Sequence, residues 1–334
     1  MINKKILVVI LKDDYGIPDR GESYESKYFY QSLKEIFSET RLFDFGPYLH
    51  RYTDLQRDIR KCADEYKPDI IFFVLYQENF SIETLDYLKS KAVTVNWFCD
   101  DQWRFDDFSS KFCSHFSWVI TTDHFSIDRY HKLGYRNAIL SQWATNDVLE
   151  ATPAKIDYKY DVSFIGAMNP SRKWMINELQ KKGINVHAFG SQWPNGRVSF
   201  DEMNDIFIHS KINLNMSNSK TYDIRFVLSS YANLREYLRT DKTREQIKGR
   251  HFEIPAQRGF QLTNYASFLE QYLTLGTEVA VYNTIADLPD MIKYYLQNDS
   301  IREAIAQSGY ERTKRQHRYS NRFIEIFNKI LELQ

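Results

Sequence analysis

Cysteine is nearly absent from this chain: Cys62, Cys99 and Cys113 are the three among 334 residues, and no two stand at C-x-x-C spacing. That excludes a structural zinc site and a disulfide scaffold and fits a reducing compartment, so a cytoplasmic location is expected. No apolar run approaches the roughly 20 residues of a bilayer-crossing helix. The short run that ends at Leu11 is too brief for a secretory signal, which leaves peripheral membrane contact at most. Charge of one sign is not in excess, with 44 Lys and Arg against 44 Asp and Glu. The chain therefore lacks the basic field that dominates nucleic-acid binding, and no nucleic-acid partner is expected. Solenoid repeats and low-complexity tracts are missing as well. So is the G-x-G-x-x-G fingerprint with its distal acid, which weakens a dinucleotide-dependent oxidoreductase.

What is present is alternation. In the first half, short β-branched or aromatic runs at 6–11, 41–45, 69–76, 93–98, 118–122 and 137–142 are separated by helical patterns, the signature of βαβ units and a parallel sheet. Tyr28, Phe29, Leu33, Ile36 and Phe37 recur at helical spacing, and the nearly continuous apolar run IIFFVLY implies a strand buried on both faces. A polar, proline-containing stretch at 144–159 reads as a linker. The same logic then restarts, with strands at 162–165, 185–189, 212–215 and 260–263 and amphipathic helices near 288–296 and 323–333. The length suits two α/β domains of about 150 residues each. The fold class expected is α/β, with two Rossmann-like domains facing across a cleft, one at 1–150 and one at 160–318, and a last helix at 319–334. In such sheets ligands gather at the carboxyl ends of the strands. The 23 Tyr and 23 Phe fill cores for the most part, and rings of this kind also line carbohydrate and base sites.

The most informative stretch is 251–283. Glu253 lies between Phe252 and Ile254, and a carboxylate in that apolar frame costs several kcal/mol unless it has partners. The two hydroxyls of a ribose would serve; so would the dipole at a helix start. Gly259 lets the backbone approach a ligand closely or take a positive φ before the next strand. Arg250 and Arg258 flank Glu253, and either could neutralise charge on a departing diphosphate. The loop 166–172, Gly-Ala-Met-Asn-Pro-Ser-Arg, follows a strand and opens a helix. Its N–H groups, with Gly166, Asn169 and a bidentate Arg172, could hold a phosphate, or it could be a plain strand-to-helix turn. Gly190 closes the next strand.

Candidate bases sit in the first half. Asp14 follows the first strand, Asp100 and Asp101 the fourth, and His124 the fifth. Each could take an acceptor proton, and each could instead cap a helix or stand in an ordinary loop. Neighbouring residues on an extended segment point opposite ways, so Asp100 and Asp101 are poorly placed to share an ion, and the pair is not a D-x-D. No obligatory metal is expected.

Four ordered blocks carry a resemblance: YDVSFIGAMNPSRKWMINELQKKG (160–183), KINLNMS (211–217), GRHFEIPAQRGFQLTNY (249–265) and EVAVYNTIADLPDMIKYYLQNDSIREAIAQSGYERTKRQHRYSNR (278–322). Together they resemble the C-terminal half of glycosyltransferases of the two-Rossmann-domain GT-B architecture, in particular the spore-maturation CgeB-type family. The resemblance implies a metal-independent transferase that moves a sugar from a nucleoside-diphosphate sugar to a glycan, lipid-linked, protein or small-molecule acceptor. It also implies that Glu253 holds the nucleotide ribose, with Phe252 in the same FE-x-PA segment. The departures are Gln257 and Arg258, where a small Cys-Gly pair is usual, and a longer stretch at 218–248. A noncatalytic nucleotide- or sugar-binding protein on a degenerate transferase fold is the alternative.

Overall fold

The computed structural model describes residues 1–150 and 156–333. Two compact units emerge, one made of Met1–Gln142 and Tyr319–Gln334, the other of Trp143–Arg318. The first unit holds a six-stranded sheet of β1 (Ile2–Ile10), β2 (Phe37–Asp44), β3 (Ile70–Phe73), β4 (Val93–Phe98), β5 (Trp118–Thr121) and β6 (Ala138–Leu140). The order is β2-β1-β3-β4-β5-β6 and every pairing is parallel. The second unit holds β7 (Tyr160–Ile165), β8 (His187–Phe189), β9 (Ser210–Asn215), β10 (Gln261–Asn264) and β11 (Ala280–Tyr282). Its order, β11-β10-β9-β7-β8, is again wholly parallel. Counted within each unit the first five strands run 2-1-3-4-5, so each sheet reverses direction beside its first strand. The crevice at that reversal, outside the carboxyl ends of the strands, is where open α/β sheets bind ligands.

Burial explains why the strands read so clearly. Ile6 to Ile10 and Ile70 to Phe73 are covered on both faces, as parallel strands under helices must be. One face of the first sheet packs an aromatic cluster, with Phe29 centred 4.9 Å from Trp97 and 4.8 Å from Tyr319. Tyr319 opens the last helix, Tyr319–Glu332, whose Phe323, Ile326, Phe327 and Ile330 are buried in the first unit.

Three expected boundaries shift. The helical spacing was read through Phe37, but the helix ends at Ile36. Phe37 is extended (φ −100°, ψ 147°), starts β2 and packs edge-on to Phe327 at 4.9 Å. Because β2 is an edge strand, its polar Ser38, Glu39 and Thr40 conceal it. The run read as a strand to residue 76 leaves the ladder after Phe73, where the Asn96 side chain accepts the Leu75 N–H at 3.1 Å. Finally, the start of the stretch read as a linker is anchored in the second unit: Leu149 N–H donates to the Ala256 carbonyl at 2.9 Å, and the Tyr310 hydroxyl to the Leu149 carbonyl at 2.6 Å. Residues 151–155 of that stretch lie outside the described residues.

Asp101 is fully buried and accepts the Tyr130 hydroxyl at 2.8 Å. Burial raises its carboxyl from 3.8 to about 6, against the opposing pull of the Ser109, Thr121 and Tyr130 hydroxyls. The folded state thus holds this proton more tightly than the unfolded chain. The associated stability is fully present below pH 3.8 and is lost as pH rises through about 6. Asp101→Asn should therefore raise thermal stability at pH 8, by about 2–3 kcal/mol for a shift of this size, and the advantage should vanish by pH 4. Parallel melting curves at the two pH values check the sign.

Candidate functional site

In the second unit the carboxyl ends of β7 and β9 are tied together by one side chain. Arg172 donates from Nε to the Ser217 carbonyl at 2.9 Å, from one terminal nitrogen to Met216 at 2.7 Å and from the other to Ala167 at 2.8 Å. Burial lowers its pKa to about 10, so it remains a cation at neutral pH. The bidentate phosphate contact expected of Arg172 is therefore redirected: much of the guanidinium is committed to backbone carbonyls. Asn169 caps the helix Pro170–Lys181, its side chain accepting the Arg172 N–H at 2.8 Å. The helix start consequently has a fixed direction, with its dipole at the end of β7, while the N–H groups of Arg172 and Lys173 are taken by Asn169.

The glycines here are required by close approach. A Cβ on Gly166 would come within 2.8 Å of the Phe164 ring, and one on Gly190, at φ 130°, within 2.3 Å of the Gly166 carbonyl oxygen. That carbonyl also accepts the Trp193 indole N–H at 2.9 Å. Gly166 and Gly190 thus let two strand-end loops lie against each other.

Glu253 lies in the helix Arg250–Ala256 and is 1% exposed. Its carboxylate is paired with the Arg250 guanidinium, and Arg250 in turn acts on Arg172 as a neighbouring like charge. Gly166, Asn169, Arg172, Gly190, Arg250 and Glu253 are thereby brought into one neighbourhood. Three other expected residues play different parts. Phe252 is fully buried against Tyr272 and His317, which makes it core and not a ligand contact. Gly259 does not take the positive φ; Arg258 does, at 56°. Gly259 instead permits contact with Asn213, whose Nδ2 would be 2.7 Å from an added Cβ. Arg258 occupies the left-handed position that a glycine would hold with least strain. The Gln257 amide donates to the Asp147 carbonyl.

Glu245 was missed in the sequence. A cavity of about 420 Å³ opens at the ends of β9, β10 and β11, lined in part by Ser217, Ser219, Glu245, Asn264 and Tyr282. Burial raises the Glu245 carboxyl, while Ser217, Ser219, Asn264 and the nearby Arg172 favour its ionised form. Its only sequence signal is a carboxylate eight positions before Glu253, inside the unmatched stretch. Among the described residues no group of three or more His, Cys, Asp and Glu could hold a metal ion.

In the first unit the reversal lies between β1 and β3. The loop after β1 is closed by a bridge between Asp13 and Glu22 and by Asp14 N–H donating to the Gly21 carbonyl at 2.9 Å. Within it Tyr15 takes a φ of 56° and sets its ring edge-on to Tyr76, beyond β3, at 5.3 Å. Asp14 and Asp100 are brought together around a residue that was not singled out, Glu25. Burial raises the Glu25 carboxyl, and Asp14 and Asp100 push the same way against hydrogen bonds from its own N–H and from Ser23. Glu25 opens a π-wound stretch, Glu25–Tyr30, a winding that recurs at functional sites. Asp100 precedes the helix Asp101–Arg104 but makes no capping hydrogen bond to it. Asp101 is turned into the core, so the two neighbours do diverge. His124 follows β5, one strand further from the reversal than Asp100, beside Asp123, which accepts the Ser126 hydroxyl at 2.7 Å.

Residues 172–328 match the family described as "Glycosyl transferase-like". No curated protein is significantly similar in sequence. Among solved structures, Anabaena Alr3699/HepE in complex with UDP-glucose superposes with a TM-score of 0.61 at 12% identity, covering 99% of this chain and 100% of that one. Sucrose-phosphate synthase from Thermosynechococcus elongatus gives 0.60 at 8% identity over 99% and 100%. A glycosyltransferase from Rickettsia africae gives 0.57 at 10% over 99% and 97%. The fold is thus the two-domain GT-B glycosyltransferase fold, and its second half carries a glycosyltransferase-like sequence.

Two substitutions separate framework from chemistry. Arg172→Met should destabilise the second unit by about 3–5 kcal/mol, because it strands several buried carbonyls. Gly190→Ala should be at least as damaging. Hydrogen exchange resolved by peptide would place the loss in 143–318 and leave 1–142 protected.

Proposed function

We propose that this chain is a metal-independent glycosyltransferase of the CgeB type, moving a hexosyl group from a uridine diphosphate sugar to an acceptor hydroxyl. The observation that carries the reading is the arrangement in the second unit: a capped helix start, Arg250 with the buried Glu253, and a cavity floored by Glu245, all at strand ends of a GT-B fold. A nucleoside diphosphate sugar needs these elements in this order. Its ribose hydroxyls can replace part of the Arg250 contact on Glu253, and its diphosphate is stabilised by the dipole of the helix Pro170–Lys181 and by Arg250. Its sugar hydroxyls suit Glu245 and Asn264. The UDP-glucose bound by HepE supports uracil as the base.

In the transfer, the bond between the sugar's anomeric carbon and the diphosphate breaks as the acceptor oxygen bonds that carbon. The diphosphate leaves with the electron pair, and the acceptor proton passes to a carboxylate of the first unit. Glu25 fits that task best. A raised carboxyl is a stronger base once ionised, and Asp14 and Asp100 beside it favour its uptake of a proton. Asp14 and Asp100 act with it, and His124 is the more remote candidate.

Calorimetry with UDP-glucose tests the donor assignment: Glu253→Ala should weaken binding by about 1.5–3 kcal/mol, whereas unchanged affinity in the folded variant would remove Glu253 from the site. Turnover should survive EDTA. Glu25→Gln should lower kcat by roughly 10²–10⁴-fold with donor affinity intact. Wild-type activity should rise with pH as Glu25 ionises, and that acidic limb should be lost in Glu25→Gln. Near-normal turnover in the variant would transfer the proton to the donor phosphate, and donor binding without any transfer or hydrolysis would make the protein a binding module.

A further inference from the structure

The stretch 218–248, longer than its resemblance calls for, folds as an excursion of two short helices, Ile224–Ser229 and Tyr231–Arg239. Its base is tied shut: the Lys220 N–H donates to the Lys242 carbonyl at 2.7 Å, and the Tyr222 hydroxyl to the Thr243 carbonyl at 3.0 Å. One face is anchored in the second unit, with Phe226 buried edge-on to Trp174 at 5.6 Å and Leu234 and Tyr237 half-buried beside it. The other face is turned outward. Ile224, Leu228, Tyr231 and Leu238 are between 62% and 82% exposed. Single exposed apolar residues are ordinary on a protein surface, but four large ones on two adjoining short helices form a patch that calls for a partner.

The charges around the patch choose the partner. From residue 222 to 244 five Lys and Arg stand against three Asp and Glu, in a chain whose total charge is zero. On the second helix Tyr231, Arg235 and Leu238 fall at i, i+4 and i+7, so an exposed cation lies on the same strip as the two apolar side chains. A second copy of this chain would bring like charges together. An anionic bilayer meets both requirements at once: aliphatic tips and a tyrosine ring enter the boundary of the acyl chains, and arginine stems extend to the phosphates. We propose that this two-helix face docks the protein on an anionic membrane surface. The docking is peripheral, since among the described residues no helix is long and apolar enough to cross a bilayer. It does not depend on the transferase reading.

Cosedimentation with vesicles of phosphatidylcholine, alone or mixed with phosphatidylglycerol, tests the proposal on the full chain. Binding is expected to the mixed vesicles only and should weaken as salt is raised. The pairs Leu228→Ser with Tyr231→Ser, and Arg235→Glu with Arg239→Glu, should each reduce it by roughly tenfold or more. These positions are exposed, and unchanged melting curves and UDP-glucose affinity would confirm that the variants fold. Absence of binding to mixed vesicles, or undiminished binding in both variant pairs, would overturn the assignment. So would a concentration-dependent dimer in light scattering that Leu228→Ser abolishes, since it would give the face to a second copy.

Discussion

The buried guanidinium of Arg172 is the constraint on which the second unit's site depends. β7 and β9 are paired neighbours in the sheet, and beyond their last residues the chain turns off into loops whose carbonyls lie outside the ladder. Three carbonyls, from Ala167, Met216 and Ser217, converge there and would be stranded without a donor. A planar, permanently charged fork suits that geometry better than an ammonium. Holding the loop after β7 in place also fixes the cap at Asn169 and hence the direction of the helix start. The same cation lies close enough to Glu245 to favour its charged form in spite of burial. One side chain thus shapes a loop, a helix start and an acid.

The first unit solves the same topological problem with different chemistry. The segments that follow its paired strands β1 and β3 are held together by the ring pair Tyr15 and Tyr76, and the residues gathered beside it are acids. Holding Tyr15 in the left-handed region costs about 1 kcal/mol or more, a cost met by the closed loop from Asp13 to Glu22. The same strand order therefore frames arginines with carboxylate partners in one unit and a group of carboxylates in the other. Transfer of a sugar from a diphosphate needs both: a place that tolerates growing negative charge and a place that accepts a proton.

The fold was legible because buried parallel strands are written as short apolar runs whose pattern survives without any tertiary information. The ten runs read in the sequence each fall on one of the eleven strands, and the ones misplaced, β2 and the end of β3, are those where an edge position or a side-chain hydrogen bond broke the pattern. The site was legible only in part. Glu253 could be singled out because an acid in an apolar frame demands a partner, and Gly166 and Gly190 because they end strands. Glu25 and Glu245 could not. Neither stands in an apolar frame, and what distinguishes them is proximity to groups distant in the chain: Asp100 for one, Asn264 for the other. Phe252 shows the opposite limit, since it stands next to Glu253 in the sequence while its own side chain is buried against Tyr272 and His317.

Composition, too, conceals as much as it reveals. A net charge of zero excludes a uniform basic field, and that exclusion is sound, but it is a sum over elements that carry opposite signs. Asp14, Glu25 and Asp100 gather in the first unit, while in the second Arg172 and Arg250 stand beside Glu245 and Glu253. Each cluster raises the cost of its own members and is retained only where something offsets that cost, whether carbonyls for Arg172 or a partner carboxylate for Arg250. For Glu25, hydrogen bonds from its own N–H and from Ser23 oppose burial and two like charges. A glutamate so placed takes up a proton more readily than one in water, which is the property a base needs and a purely structural acid does not.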